Sequence, residues 1–259
     1  MTSRHAGSPG ERTAAAGPPD PNGMEVVLDP RHILRIMVWV IAVLVILSTA
    51  GQVMAYNLPD FPLRDGIANL FFVAREQSLP TLFSLVMLLA SALLTGAISR
   101  SHGRAGGPYV RHWAALSFLF VLLAIDEQAS LHEQTSDLLR GPLDIAGGPL
   151  WFAWVVPAVA LVAAFVIAFL RFIRHLPRLM RRRLLTAGLL FVGGAIGLEM
   201  VGGWWYAIHG ELNPTYVVIT TVEETLEMLG LSVLVYALLA YIPVGLPAAR
   251  WRLQIAAPR

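Results

Sequence analysis

The chain has 259 residues, of which 56% are hydrophobic and 14% charged, with a formal net charge of +2. Its mean hydropathy is +0.63, and so low a charged fraction excludes an ordinary soluble domain, where roughly 25% of residues are charged. Cysteine is absent, so disulfides, thiolate metal sites and thiol nucleophiles are excluded with it. Every basic residue is arginine, not lysine, and these arginines cluster beside apolar segments. That is the pattern of membrane topology and not of a nucleic-acid binder, so nucleic acid is not expected among the partners.

Residues 1–30 are rich in Pro, Gly and polar groups without apolar periodicity, and read as a disordered tail. Six apolar stretches follow, at about 33–55, 79–99, 112–135, 150–173, 184–207 and 215–242. Each is near the roughly 20 residues a helix needs to cross a bilayer. The first is too long for a signal-peptide core and reads as an uncleaved span. Backbone groups in lipid must be bonded within their own segment, so these runs are expected to be helices. The expected fold class is an all-α polytopic bundle: a six-span domain over 31–243 and a short tail over 244–259. In the third stretch Asp126 ends the charge-free run from Trp113 to Ile125, so read alone it fits a re-entrant or interfacial helix, whereas an even count of six spans and the charge bias favour a full crossing.

Arginines settle the expected orientation. Arg100, Arg104 and Arg111 fall between spans two and three, and Arg171, Arg174, Arg178, Arg181, Arg182 and Arg183 between spans four and five. The alternate loops hold only Arg64, Arg75 and Arg140. The positive-inside rule then places both termini in the cytoplasm, in a bacterial cytoplasmic membrane. Trp151 and Trp154 at the start of span four, and Trp204 and Trp205 at the end of span five, fit an interfacial aromatic belt.

Seven carboxylates interrupt these apolar runs: Asp126, Glu127 and Glu133 in span three, Glu199 in span five, and Glu223, Glu224 and Glu227 in span six. An ionisable group inside the hydrocarbon costs on the order of 2.5–3.5 kcal/mol at mid-bilayer, so its first reading is functional. At a rise of about 1.5 Å per residue, all seven come out in the outer half of the bilayer. Asp126 and Glu133 are expected on one face of a continuous helix, with His132 about 120° away from Asp126. Glu223 and Glu227 stand one turn apart and share a face with Thr220 and Gly230.

No Arg or Lys lies between Trp113 and Leu139, or within spans five and six. Three solutions to the mutual repulsion of the acids are open: bound cations, protonated carboxyls, or a water-filled cavity. The mixed carboxylate and imidazole set suits a divalent metal ion such as Zn, Mn or Fe. Asp126, Glu133, Glu223, Glu227 and His132 are the candidate ligands, and Glu127, Glu199 and Glu224 the candidate proton acceptors. The zinc-protease pattern fails, because His132-Glu133 is followed by Gln134, Thr135 and Ser136. Glu76 reads as a helix-start acid, and His209 as a residue of the rim. Gly193 and Gly197 form a small-xxx-small pair, expected to pack against a neighbouring helix.

Asp126-Glu127, His132-Glu133, Glu223-Glu224 and Glu227-Met228-Leu229-Gly230 together resemble a group of bacterial multi-pass membrane proteins of uncharacterised activity. The resemblance covers spans two to six, leaves out the tail, and implies no catalytic assignment. The leading expectation is a membrane protein with a carboxylate-rich metal site in the outer half of the bilayer, which as an enzyme would act on a lipid or apolar small molecule. A proton- or cation-coupled carrier is the alternative, and a scaffold with a structural acidic pocket the third.

Overall fold

The computed structural model describes residues 29–57, 59, 64–73, 75, 77–210 and 213–245. Most of the tail expected over 1–30, nearly all of that over 244–259, and Glu76 lie outside the described residues. All regular structure among the described residues is helical: α1 (Pro30–Asn57), α2 (Arg64–Phe71), α3 (Leu79–Arg104), α4 (Val110–Ala129), α5 (Leu131–Arg140), α6 (Val155–His175), α7 (Arg178–Val192), a π-helical turn (Gly193–Leu198), α8 (Glu199–His209) and α9 (Pro214–Gly245). The chain is therefore an all-α polytopic bundle.

Among the described residues, five helical runs are long and apolar enough to cross a membrane: Pro30–Ala55, Leu79–Arg104, Val155–His175, Arg178–His209 and Pro214–Pro243. A sixth is counted only if α4 and α5 are taken as one broken span, because the two meet at a bend of 74°. The third stretch is thus not the straight helix that its composition suggested. Its break falls at Ser130, which sits in the left-handed region at φ 50° and ψ 43°. Span four begins later than expected, since turns occupy the chain up to Trp154, and span five begins earlier, with Arg178 to Arg183 already helical. The eight-residue α2 had no counterpart in the apolar pattern.

Local chemistry explains several ends. Ser78 caps α3 by accepting a hydrogen bond from the Thr81 amide at 3.3 Å, and Pro80 lies in the first turn, where a missing N–H costs nothing. Pro177 separates α6 from α7: a proline cannot supply the amide that would continue the first helix.

α9 is the central helix and packs against α1, α3, α7, the π-turn and α8. Leu231, Leu234 and Leu238 on α9 meet Trp113 and Leu116 of α4, Leu88 of α3 and Phe172 of α6 in the principal core. α6 instead turns Val159, Leu161, Val166 and Ile167 outward. In a bilayer that face meets lipid tails, so its exposure carries no penalty. Several hydroxyls inside the bundle are satisfied within their own helices or by close neighbours. Thr95 Oγ1 donates to the Ser91 carbonyl at 2.7 Å, Thr225 Oγ1 to the Thr221 carbonyl at 2.6 Å, and Ser117 Oγ across to the Ala92 carbonyl at 2.8 Å.

Close approach of α9 to its neighbours depends on glycine. A Cβ on Gly194 would lie 2.8 Å from the Glu223 carbonyl oxygen and 2.9 Å from Glu227 Cγ. One on Gly230 would lie 2.7 Å from the Phe191 amide nitrogen. The expected pair, Gly193 and Gly197, meets nothing within 4 Å. The small-residue contact with α9 is made by Gly194 instead.

Candidate functional site

The site is assembled from the α4–α5 break, the start of α6, the beginning of α8 and the first half of α9. At the break, Asp126 reaches across the turn created by Ser130. Its Oδ1 accepts the backbone amide of His132 at 2.9 Å, and its Oδ2 lies 3.0 Å from His132 Nδ1. The Ser130 amide closes the end of α4 on the Asp126 carbonyl at 2.7 Å. This corrects the expected geometry. A continuous helix would have put Asp126 over Glu133 and turned His132 away, whereas the left-handed residue between them brings His132 onto Asp126.

Trp154 links this pair to the next helix. Its ring lies 5.0 Å from the His132 ring, and its Nε1–H donates to Glu199 Oε1 at 2.9 Å. The Trp154 amide in turn donates to Ser136 Oγ at 3.2 Å, which fixes α5 against the start of α6. Arg140 strengthens the same joint: its Nε–H donates to the Trp151 carbonyl at 3.2 Å and its guanidinium lies 4.5 Å from the Trp151 ring centre. Arg140 also lies 3.5 Å from Asp137. These ties place Arg140 on the loop side of the site.

Glu199 opens α8 directly after the π-turn, and its carboxyl lies within electrostatic reach of Glu223 on α9. Glu223 is 8% exposed, and no donor reaches its buried Oε2. Gly202 lies beside it, since a Cβ there would stand 3.9 Å from that oxygen. Glu227 follows one turn along and packs its Cγ against Gly194. Glu224 lies within electrostatic reach of Glu127, Glu199 and Glu133, and Glu227 within reach of Glu224, Glu127, Glu199 and Asp126. Acids from three separate segments therefore act on one another.

They do so without collapsing to one point. Among the described residues, no group of three or more His, Asp or Glu side chains has the arrangement of a metal site. The acids form a succession of pairs: Asp126 with His132, Glu199 with Glu223, and Glu223 with Glu227 one turn on. Glu127 and Glu133 stand on the α4–α5 side of this succession and Glu224 on the α9 side. His209 is engaged elsewhere, stacked on Trp205 at 4.1 Å.

Sequence reasoning missed Trp154 as a member of the site, treating it only as an interfacial anchor. An indole N–H among acids without a nearby cation is a donor where donors are scarce, and that scarcity was the signal available.

No curated protein and no solved structure matches the chain. A family model described as "Domain of unknown function (DUF8692)" matches residues 37–242, from within α1 to the last turns of α9 and so across every acid of the site, and the chain belongs to that family.

Proposed function

We propose that this chain is a proton-coupled carrier, and that its acid cluster takes up and releases the proton. The observation behind this reading is the electrostatic pairing of Glu199 with the buried Glu223, two carboxyls on different helices. Two ionised carboxylates that act on each other in a buried setting repel, and a proton taken up by the pair removes that repulsion. A buried oxygen of the same pair, Glu223 Oε2, meets no protein donor. Buried polar atoms are nearly always satisfied, and an orphan of this kind points to a transient proton, ion or water. Intramembrane acids in series are the usual material of proton relays.

In this reading the arginine distribution sets both termini in the cytoplasm of a bacterium, with the acids in the outer half of its cytoplasmic membrane. His132 and Asp126 stand at the outer mouth, with a histidine able to exchange protons near neutral pH. Trp154 holds Glu199 in place between that mouth and Glu223.

Infrared difference spectroscopy on the purified chain in liposomes tests the proposal. A protonated-carboxyl band that shifts in deuterium oxide is expected in the wild type and should vanish in Glu199→Gln/Glu223→Gln. Proton uptake into the same liposomes under an imposed gradient should fall at least tenfold in that variant. A wild type with neither the band nor any proton movement would refute the reading.

The donor set favours a second reading, in which Asp126, His132, Glu133, Glu223 and Glu227 close on a divalent ion such as Zn, Mn or Fe. Such a site would serve a lipid or apolar substrate by activating water or polarising a carbonyl. Stoichiometric metal in the purified wild type, lost in Glu223→Ala/Glu227→Ala, would favour it over the proton-coupled reading.

A further inference from the structure

Away from the acids, α3 and α4 diverge around an open groove of about 470 Å³. That volume lies within the range of small-molecule sites, roughly 300–1,000 Å³. Arg100 and Arg104, one turn apart on α3, form one end of it, and Gly96, Ser99, Gly103, Val110, Ala114 and Ser117 line the rest. The groove exists because most of these residues are small. A Cβ on Gly96 would come to 3.0 Å from Ser117 Oγ, so the helices touch there and leave space beyond it.

The two ends differ in depth. α3 has 26 residues, about 39 Å at a rise of 1.5 Å per residue, against roughly 30 Å of hydrocarbon. Its last turns therefore enter the headgroup layer, while Gly96, about 12 Å back from Arg104, lies within the apolar region. Both arginines are solvent-exposed, and no ion pair to either is found among the described residues. A guanidinium pair at headgroup depth, continuous with an open groove of mostly small residues, has the form of a lipid: an anionic phosphate at the arginines, and the glycerol with the start of an acyl chain against Gly96 and Ala114. A free phosphate would use only the outer end of the groove.

We infer that the α3–α4 groove is a binding site for an anionic phospholipid, with Arg100 and Arg104 holding its phosphate. This inference is independent of the acid cluster. The test uses the purified full chain in a neutral detergent, titrated with short-chain phosphatidylglycerol, the matching phosphatidylcholine, and inorganic phosphate, with thermal unfolding and binding as readouts. Phosphatidylglycerol should bind and raise the unfolding temperature, and the other two should not. Arg100→Gln/Arg104→Gln should weaken binding on the order of tenfold or more, by the usual contribution of a basic residue at an anionic surface. Gly103→Leu, which fills the groove and keeps both charges, should weaken it as well. Arg178→Gln/Arg182→Gln removes the same charge elsewhere and should bind as wild type does. Equal binding of phosphatidylcholine, equal binding of inorganic phosphate, or an equal loss in the Arg178/Arg182 control would each overturn the inference.

Discussion

Trp154 joins two parts of the acid cluster that share no direct bond: its ring packs 5.0 Å from His132 while its indole N–H donates to Glu199 at 2.9 Å. One residue at the start of α6 thereby fixes both the outer histidine and the acid that meets Glu223. Substitution by phenylalanine separates the two roles, since the ring is kept and the donor is lost. Trp154→Phe should lower stability by about 1.5–3 kcal/mol, the usual worth of a hydrogen bond to a charged group. If Glu199 shares a proton with Glu223, the same variant should also shift the infrared band of the protonated pair. An unchanged melting temperature together with an unchanged band would show that the indole bond carries no weight.

The glycines offer a sharper contrast. Gly194→Ala and Gly230→Ala each place a methyl group within 3 Å of neighbouring backbone atoms. Neither helix can yield locally, so each substitution should cost about 1–3 kcal/mol through overpacking. Gly193→Ala and Gly197→Ala meet open space and should be neutral or stabilising by up to about 1 kcal/mol, since alanine favours the helix. Thermal unfolding of the four single variants in one detergent decides the matter. Equal destabilisation by all four would contradict the packing described between α9 and the π-turn.

Asp126 secures the break between α4 and α5 by accepting both the amide and the ring nitrogen of His132. Asp126→Asn keeps an acceptor for the amide, whereas Asp126→Ala leaves both donors unmet. The alanine variant should lose about 1–2 kcal/mol, as for a removed helix cap, and the asparagine variant clearly less. Spin labels on α3 and α5 should report a broader distance distribution in Asp126→Ala alone. A narrow distribution in both would mean that Ser130 and the Trp154 contacts hold the bend unaided.

Absence of cysteine makes the orientation directly measurable, because any introduced thiol is the only one. Ala105→Cys, in the exposed turn after α3, and Ala146→Cys, in the exposed turns before α6, lie on opposite sides in the proposed topology. A membrane-impermeant maleimide should label Ala146→Cys in intact cells and Ala105→Cys only after permeabilisation. The reverse pattern would invert the bundle and place the acids toward the cytoplasm.

Much of the fold was legible in the sequence because membrane helices announce themselves by length and hydropathy. Five of the six apolar stretches hold helices near their expected bounds. The sixth failed at Ser130, where Gln128-Ala129-Ser130-Leu131 contains neither glycine nor proline to mark a stop. There the capping of His132 by Asp126 competes with the helix, and a competition between a side chain and the backbone leaves no trace in hydropathy. The acids on α8 and α9 were readable as a group because helical rise fixes their depth. Their pairing was not, since which carboxyl meets which depends on rotation about each helix axis.

The six residues from Gly193 to Leu198 accommodate a wider turn than an α-helix allows. Winding the same six residues as a regular α-helix would swing everything from Glu199 to His209 through about 100° around the helix axis. The indole of Trp154 would then lose its acceptor and Glu223 its companion, while the length and greasiness of the membrane crossing would hardly change. The acid network is thus governed by how many residues stand in one turn, and a change of winding that every hydropathy profile would overlook is enough to dismantle it.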